Sequence, residues 1–197
     1  MGMRAWLVGG TLAALAALAF LAGPSRAGDD EKAQQKKILE FAAAIKTDKD
    51  AGLKKAADMG KKVDSIEGIM HGFKPRKRGG FGVGDTPGAI TPDGIELYIN
   101  GLARDGITAT ALGKQAKAIE DLSYISAAVA EVTHSFNNKD FGKKGKTKKE
   151  WQELAERMRD GSLKLAAAAK AKGAAEIKTA AKLVNDACNA CHSKFRE

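Results

Sequence analysis

The sequence predicts an all-α protein: a four-helix bundle with an N-terminal helical extension and a long Gly-rich connection between the first and second bundle helices. Three observations predict it. The chain is rich in Ala, Lys, Glu and Leu, its apolar residues recur every three or four positions rather than every second one, and short polar or glycine-containing breaks separate three helix-length stretches at its C-terminal end. With 197 residues, 44% hydrophobic and 29% charged, the chain can build one core, which excludes both a disordered chain and a disulfide-stapled miniature.

Residues 1–27 read as a cleaved signal peptide. Arg4 supplies the positive start, Ala5 to Ala22 is apolar, Gly23-Pro24 breaks the run, and Ser25 and Ala27 put small residues before a cleavage point at Gly28. An uncleaved anchor would also fit the length, but the alanines and glycines make the run weakly hydrophobic. The expected mature domain, residues 28–197, is periplasmic and has no stable membrane span. Loss of Arg4 and Arg26 leaves it 31 basic and 24 acidic residues, a net charge of +7.

Gln34 to Lys46 has helical spacing, and Thr47-Asp48-Lys49-Asp50 offers either a kink or a new N-cap. From Ala51 to His71 the stripe Ala56, Met59, Val63, Ile66, Met70 steps by three and four, so it predicts a second helix that would form the fourth wall of the bundle. The Gly-rich connection runs from Gly72 to Gly88. Thr91-Pro92 suits the cap and first position of a short helix through Ile95, Tyr98 and Leu102. A long helix follows from about Thr108 to Phe136, with Ile119, Leu122, Ile125, Val129 and Val132 on one face. Thr147 and Glu150 form a capping box that starts the next helix, which buries Trp151, Leu154, Met158 and Leu165. Gly173 ends it, and the last helix presents Ile177, Ala181, Val184, Cys188 and Cys191.

Lysine clusters at Lys74 to Arg78 and at Lys143 to Lys149 suit an acidic partner or simple solubility. Export and the lack of interleaved aromatic residues argue against nucleic acid.

Both cysteines and one of three histidines fall in Cys188-Asn189-Ala190-Cys191-His192. Cys-x-x-Cys-His is the attachment signature for haem c, in which two thiols form thioethers and the imidazole binds iron. On a helix the offsets of three and four put all three side chains on one side. A thioredoxin-like pair would follow a strand, structural zinc wants four ligands, and a disulfide across three residues of a helix is poorly oriented.

This motif near the C-terminus, followed by Phe195-Arg196 on the last helix of a bundle, resembles the class II cytochromes c, the cytochrome c prime family. The resemblance implies a periplasmic, often homodimeric bundle with one covalent haem c on Cys188 and Cys191, His192 as axial ligand and Arg196 near the haem. No enzymatic activity is expected, because no distal acid–base pair can be named. The sixth iron position would be either a methionine, giving an electron carrier, or a bulky apolar residue, giving a five-coordinate protein that binds NO or CO. Met59 and Met70 are the candidates. They lie about 16 Å apart along a helix, so one haem cannot reach both. An up-down-up-down order that starts near Asp50 favours Met59; reversal by the Gly-rich connection favours Met70 or His71. If Gln34 to His71 is one helix, Leu39 or Phe41 would cap an open iron. His134 falls off its helix's apolar stripe. The same topology places Trp151 at the haem end. The expectation is electron transfer, with an acidic redox protein as partner.

Overall fold

The computed structural model describes residues 27–137, 139, 141–143 and 145–196. The segment expected to be a signal peptide therefore lies outside the described residues but for Ala27. The described residues form seven α-helices and no strand: α1 Ala27–Thr47, α2 Lys49–Gly60, α3 Glu67–His71, α4 Ile95–Asp105, α5 Ala109–Ser135, α6 Lys148–Ala171 and α7 Ala174–Phe195, with a 3-10 turn at Arg76–Arg78.

The all-α four-helix bundle expected from sequence is present. Helix α5 packs along α6, α6 along α7, and α7 along α4. Gly106, just past the end of α4, lies beside Lys178 near the start of α7, whereas Ile99 and Ala187 line one cavity, so these two helices run antiparallel. Short connections give α4 to α7 an up-down-up-down order. Tyr98 links α4 to α5 by donating a hydrogen bond to Gln115, while α2 and α1 pack along the remaining side of α5. Leu112, Ile119, Leu122, Val129, Leu165, Ile177 and Val184 are almost wholly buried, each contributing about 1.5–3 kcal/mol of transfer free energy.

The caps follow local chemistry. Thr108 Oγ1 accepts from Ala111 N at 3.2 Å and Thr147 Oγ1 from Glu150 N at 3.2 Å, starting α5 and α6 as their sequences predict. Asp48 accepts from Ala51 N at 3.1 Å, so Thr47 to Asp50 is a fresh N-cap and α1 and α2 form a hairpin. That hairpin, the N-terminal extension, packs on α5.

Two expectations are corrected. Ala51 to His71 is not one helix: α2 stops at Gly60, and α3 starts at Glu67. The reason is close packing, because a Cβ on Gly60 would lie 2.3 Å from Val132 O of α5, and the chain turns away there. The apolar stripe still points inward, with Val63, Ile66 and Met70 packed against the core after the break. The fourth wall beside α7 is accordingly α4. Nor does Thr91-Pro92 cap that helix, since α4 starts at Ile95 with Gly94 as N-cap. Asp93 is already engaged, accepting from Arg76 Nη1 at 2.7 Å and Val83 N at 3.0 Å.

The Gly-rich connection is thus a folded strap. Phe81 N donates to Gly72 O at 2.8 Å, Glu96 N to Phe73 O at 3.3 Å, and Val83 is fully buried. These bonds fix Phe73 against the start of α4.

Candidate functional site

The C-terminal half of α7, the N-terminal halves of α4 and α6, the end of α5 and the strap meet around one cavity. It holds about 790 Å³ of empty space counted out to its open mouth. Cys188, Cys191 and His192 line it from α7, as their shared helical face requires. Met70 lines it from α3, Phe73 from the start of the strap, Ile99 from α4, Thr133 from α5, and Leu154, Ala155 and Met158 from α6. Polar groups gather on α4 and α7 as Glu96, Asn100, Asn185 and Asn189.

Both cysteines are free thiols. Burial, with the nearby Cys191 and Glu96 charges, pushes the Cys188 thiol up to about 12, and burial pushes Cys191 up to about 11. Cys188 nevertheless keeps accessible surface where it lines the cavity. Among the described residues no three His, Cys, Asp or Glu side chains form a metal-holding group. Cys188, Cys191 and His192 are spread along a wall, which matches the edge of a large planar ring. These residues fit a haem.

Met70 and Met59 are separated. Met70 lies on this cavity, whereas Met59 lines a different, open groove between α1 and α2 with Phe41 and Val63. Leu39 is 46% exposed. His71 turns toward α1, with Nδ1 3.4 Å from Glu31 and Nε2 3.7 Å from Glu67. His134 is half-buried and does not line the cavity. Arg196 is exposed beyond α7; its backbone N–H donates to His192 O at 3.1 Å.

Trp151 lies one layer behind the cavity. It is 4% exposed, and its Nε1 donates to Thr133 O at 2.6 Å. Around it are the rings of Phe136, Phe141 and Phe195, at centroid distances of 6.2, 5.8 and 5.1 Å.

Sequence reasoning missed Phe73, Glu96, Ile99 and Asn100 as cavity residues. Their elements are brought there by the strap, and nothing local marks them. Asn185 and Asn189 carried a signal, since they share the helix face of Cys188 and His192 at offsets of three and four.

Fold and cavity together define a helical bundle whose last helix presents a Cys-x-x-Cys-His motif on a cavity wall. Residues 109–196, covering α5 to α7, match the family model described as Cytochrome C'. That segment is similar to the cytochrome c prime family, the class II cytochromes c. The family implies a haem c cofactor; its members are typically periplasmic and generally not enzymes. No curated protein and no solved structure matches the chain. Among the described residues no helix is long and apolar enough to cross a membrane.

Proposed function

We propose that the protein is an exported, periplasmic monohaem cytochrome that carries electrons. In this reading Cys188 and Cys191 tether one haem c, and His192 and Met70 are its axial ligands. The haem supplies a one-electron iron couple. The chain's part is to hold both ligands and to keep water off the ring. Phe73, Ile99, Leu154 and Met158 supply the apolar wall for that, and an apolar shell is one of the levers that sets a haem potential.

One observation carries the reading: Met70 is on the same cavity as Cys188, Cys191 and His192. A thioether there gives iron a sixth ligand, and a six-coordinate iron exchanges electrons without opening a site for gas. The second reading is a five-coordinate NO- or CO-binding protein. Phe73 and Ile99 favour it, because these apolar groups on the same cavity would leave the iron open if the Met70 side chain turned aside.

The optical spectrum of the purified ferric and ferrous protein, with and without carbon monoxide, separates the two. A low-spin spectrum that ignores the gas is expected, and Met70→Ala should convert it to a high-spin, gas-binding form while Met59→Ala leaves it unchanged. A parent protein that is high-spin and shifts with the gas moves the assignment to gas binding. A Met70→Ala protein that stays low-spin removes Met70 as ligand.

A further inference from the structure

We propose that the lysine-rich α5–α6 connection, with Arg196, is the docking surface for an acidic redox protein; this rests on the electron-carrier reading and names its partner's face. Residues 139–149 hold six lysines and one aspartate. Lys139, Lys143, Lys148 and Lys149 are exposed, and so is Arg196.

Position turns this charge into more than solubility. Thr133 before the connection and Leu154 after it both line the haem cavity, so the connection crosses the haem end of the bundle. Trp151 joins the two, bonding Thr133 O on one side and meeting Phe141 of the connection on the other. Phe195, three residues past His192, meets the same indole at 5.1 Å, which seats the connection beside the end of α7. A partner resting here is one aromatic layer from the cavity wall.

The local acids do not cancel the field. Residues 139–149 carry a single aspartate, Glu150 is held by Lys194 and Thr147, and Glu153 lies 3.8 Å from Lys149 in an exposed pair. The opposite end of the bundle is basic but less densely so: Arg104 pairs with Asp105, and Glu176 lies among Lys170, Lys172 and Lys178 in the sequence. A positive patch at one end of a small protein orients an approaching anionic face as well as attracting it. A protein suits the patch better than an anionic lipid surface, because Phe141 is half-buried against Trp151 and no apolar side chain of the connection is fully exposed for insertion.

The test uses the ferrous holoprotein and hexacyanoferrate(III) as a small, highly anionic oxidant, mixed by stopped flow at ionic strengths of about 10 mM and about 1 M. Lys148→Glu/Lys149→Glu is compared with Lys170→Glu/Lys178→Glu at the far end, which changes net charge equally. Glutamate in the first turn of α6 suits the helix dipole, so folding is not at risk. The rate should fall at least about tenfold in the first variant at low salt and by less than about twofold in the second, with all three proteins converging at high salt.

Equal slowing in both variants, or in neither, overturns the docking surface. So does sedimentation with phosphatidylglycerol vesicles that Lys148→Glu/Lys149→Glu abolishes while its oxidation rate is unchanged, which would make the ligand a lipid surface. The carbon monoxide spectrum reads the underlying function separately. A low-spin protein without the loop-specific effect overturns the docking surface alone, whereas a high-spin, gas-binding protein overturns the carrier reading and the docking proposal with it.

Discussion

Replacing Trp151 by Phe should destabilise the protein by about 2–3 kcal/mol, and the structure says where the loss arises. The indole N–H donates to Thr133 O at 2.6 Å in a buried setting. That bond is worth about 1 kcal/mol net, and the loss stays near this figure because Thr133 O also accepts from Phe136 N at 3.2 Å. A phenyl ring leaves part of the indole volume empty, which adds about 1 kcal/mol. Weaker edge contacts with Phe141 and Phe195, at 5.8 and 5.1 Å, add about 0.5 kcal/mol more. For a domain of this size the sum is a fall in midpoint of about 5–10 °C. Urea denaturation of the holoprotein, followed by far-ultraviolet dichroism and by the haem band, measures it. The haem band should also shift, since Thr133 lines the cavity. A Trp151→Phe protein with the parent's midpoint and the parent's spectrum would refute the account.

Three further outcomes are expected. Gly60→Ala should cost about 1–3 kcal/mol in thermal denaturation, because its Cβ would sit 2.3 Å from Val132 O and force α2 away from α5; an unchanged midpoint would mean that α2 does not pack so closely. Arg76→Ala removes the cation that bonds Asp93 at 2.7 Å, so hydrogen exchange should quicken at the Phe81 and Glu96 amides while α5 to α7 keep their protection; uniform protection throughout would count against a pinned strap. Asp121 is partly buried, which raises its pKa, yet hydrogen bonds from Lys117 and Lys46 prevail and hold it below its ordinary 3.8. A lowered folded value contributes stability above the ordinary pKa and loses it as pH falls through the folded one. Asp121→Asn should therefore flatten the acid limb of the stability curve below about pH 4, and a parallel limb in both proteins would sink the idea.

The grouping of the candidate site residues on α7 was legible in the sequence because it is local. Cys188, Cys191 and His192 sit within one helical turn and a half, so their spacing alone fixes a common face, and that face lines the cavity. The cap at Thr147 was legible for the same reason, since its bond spans three residues, and α5 starts just after the Thr108 its pattern indicated. So was the inward stripe from Ala56 to Met70, although not its continuity: periodicity records which side faces the core but not where the backbone breaks.

What the tertiary structure decided is which distant residues share the cavity. The turn after Gly60 depends on the carbonyl of Val132, and the strap from Gly72 to Gly94 depends on Arg76 finding Asp93. Those contacts join residues far apart in sequence and carry no periodic signal. They bring Met70 to the cavity and leave Met59 in the groove between α1 and α2. The sequence by itself determined an all-α bundle and the shared face of Cys188, Cys191 and His192 on its last helix, through spacing within single helices. Long-range packing decided which side chains stand across from that face.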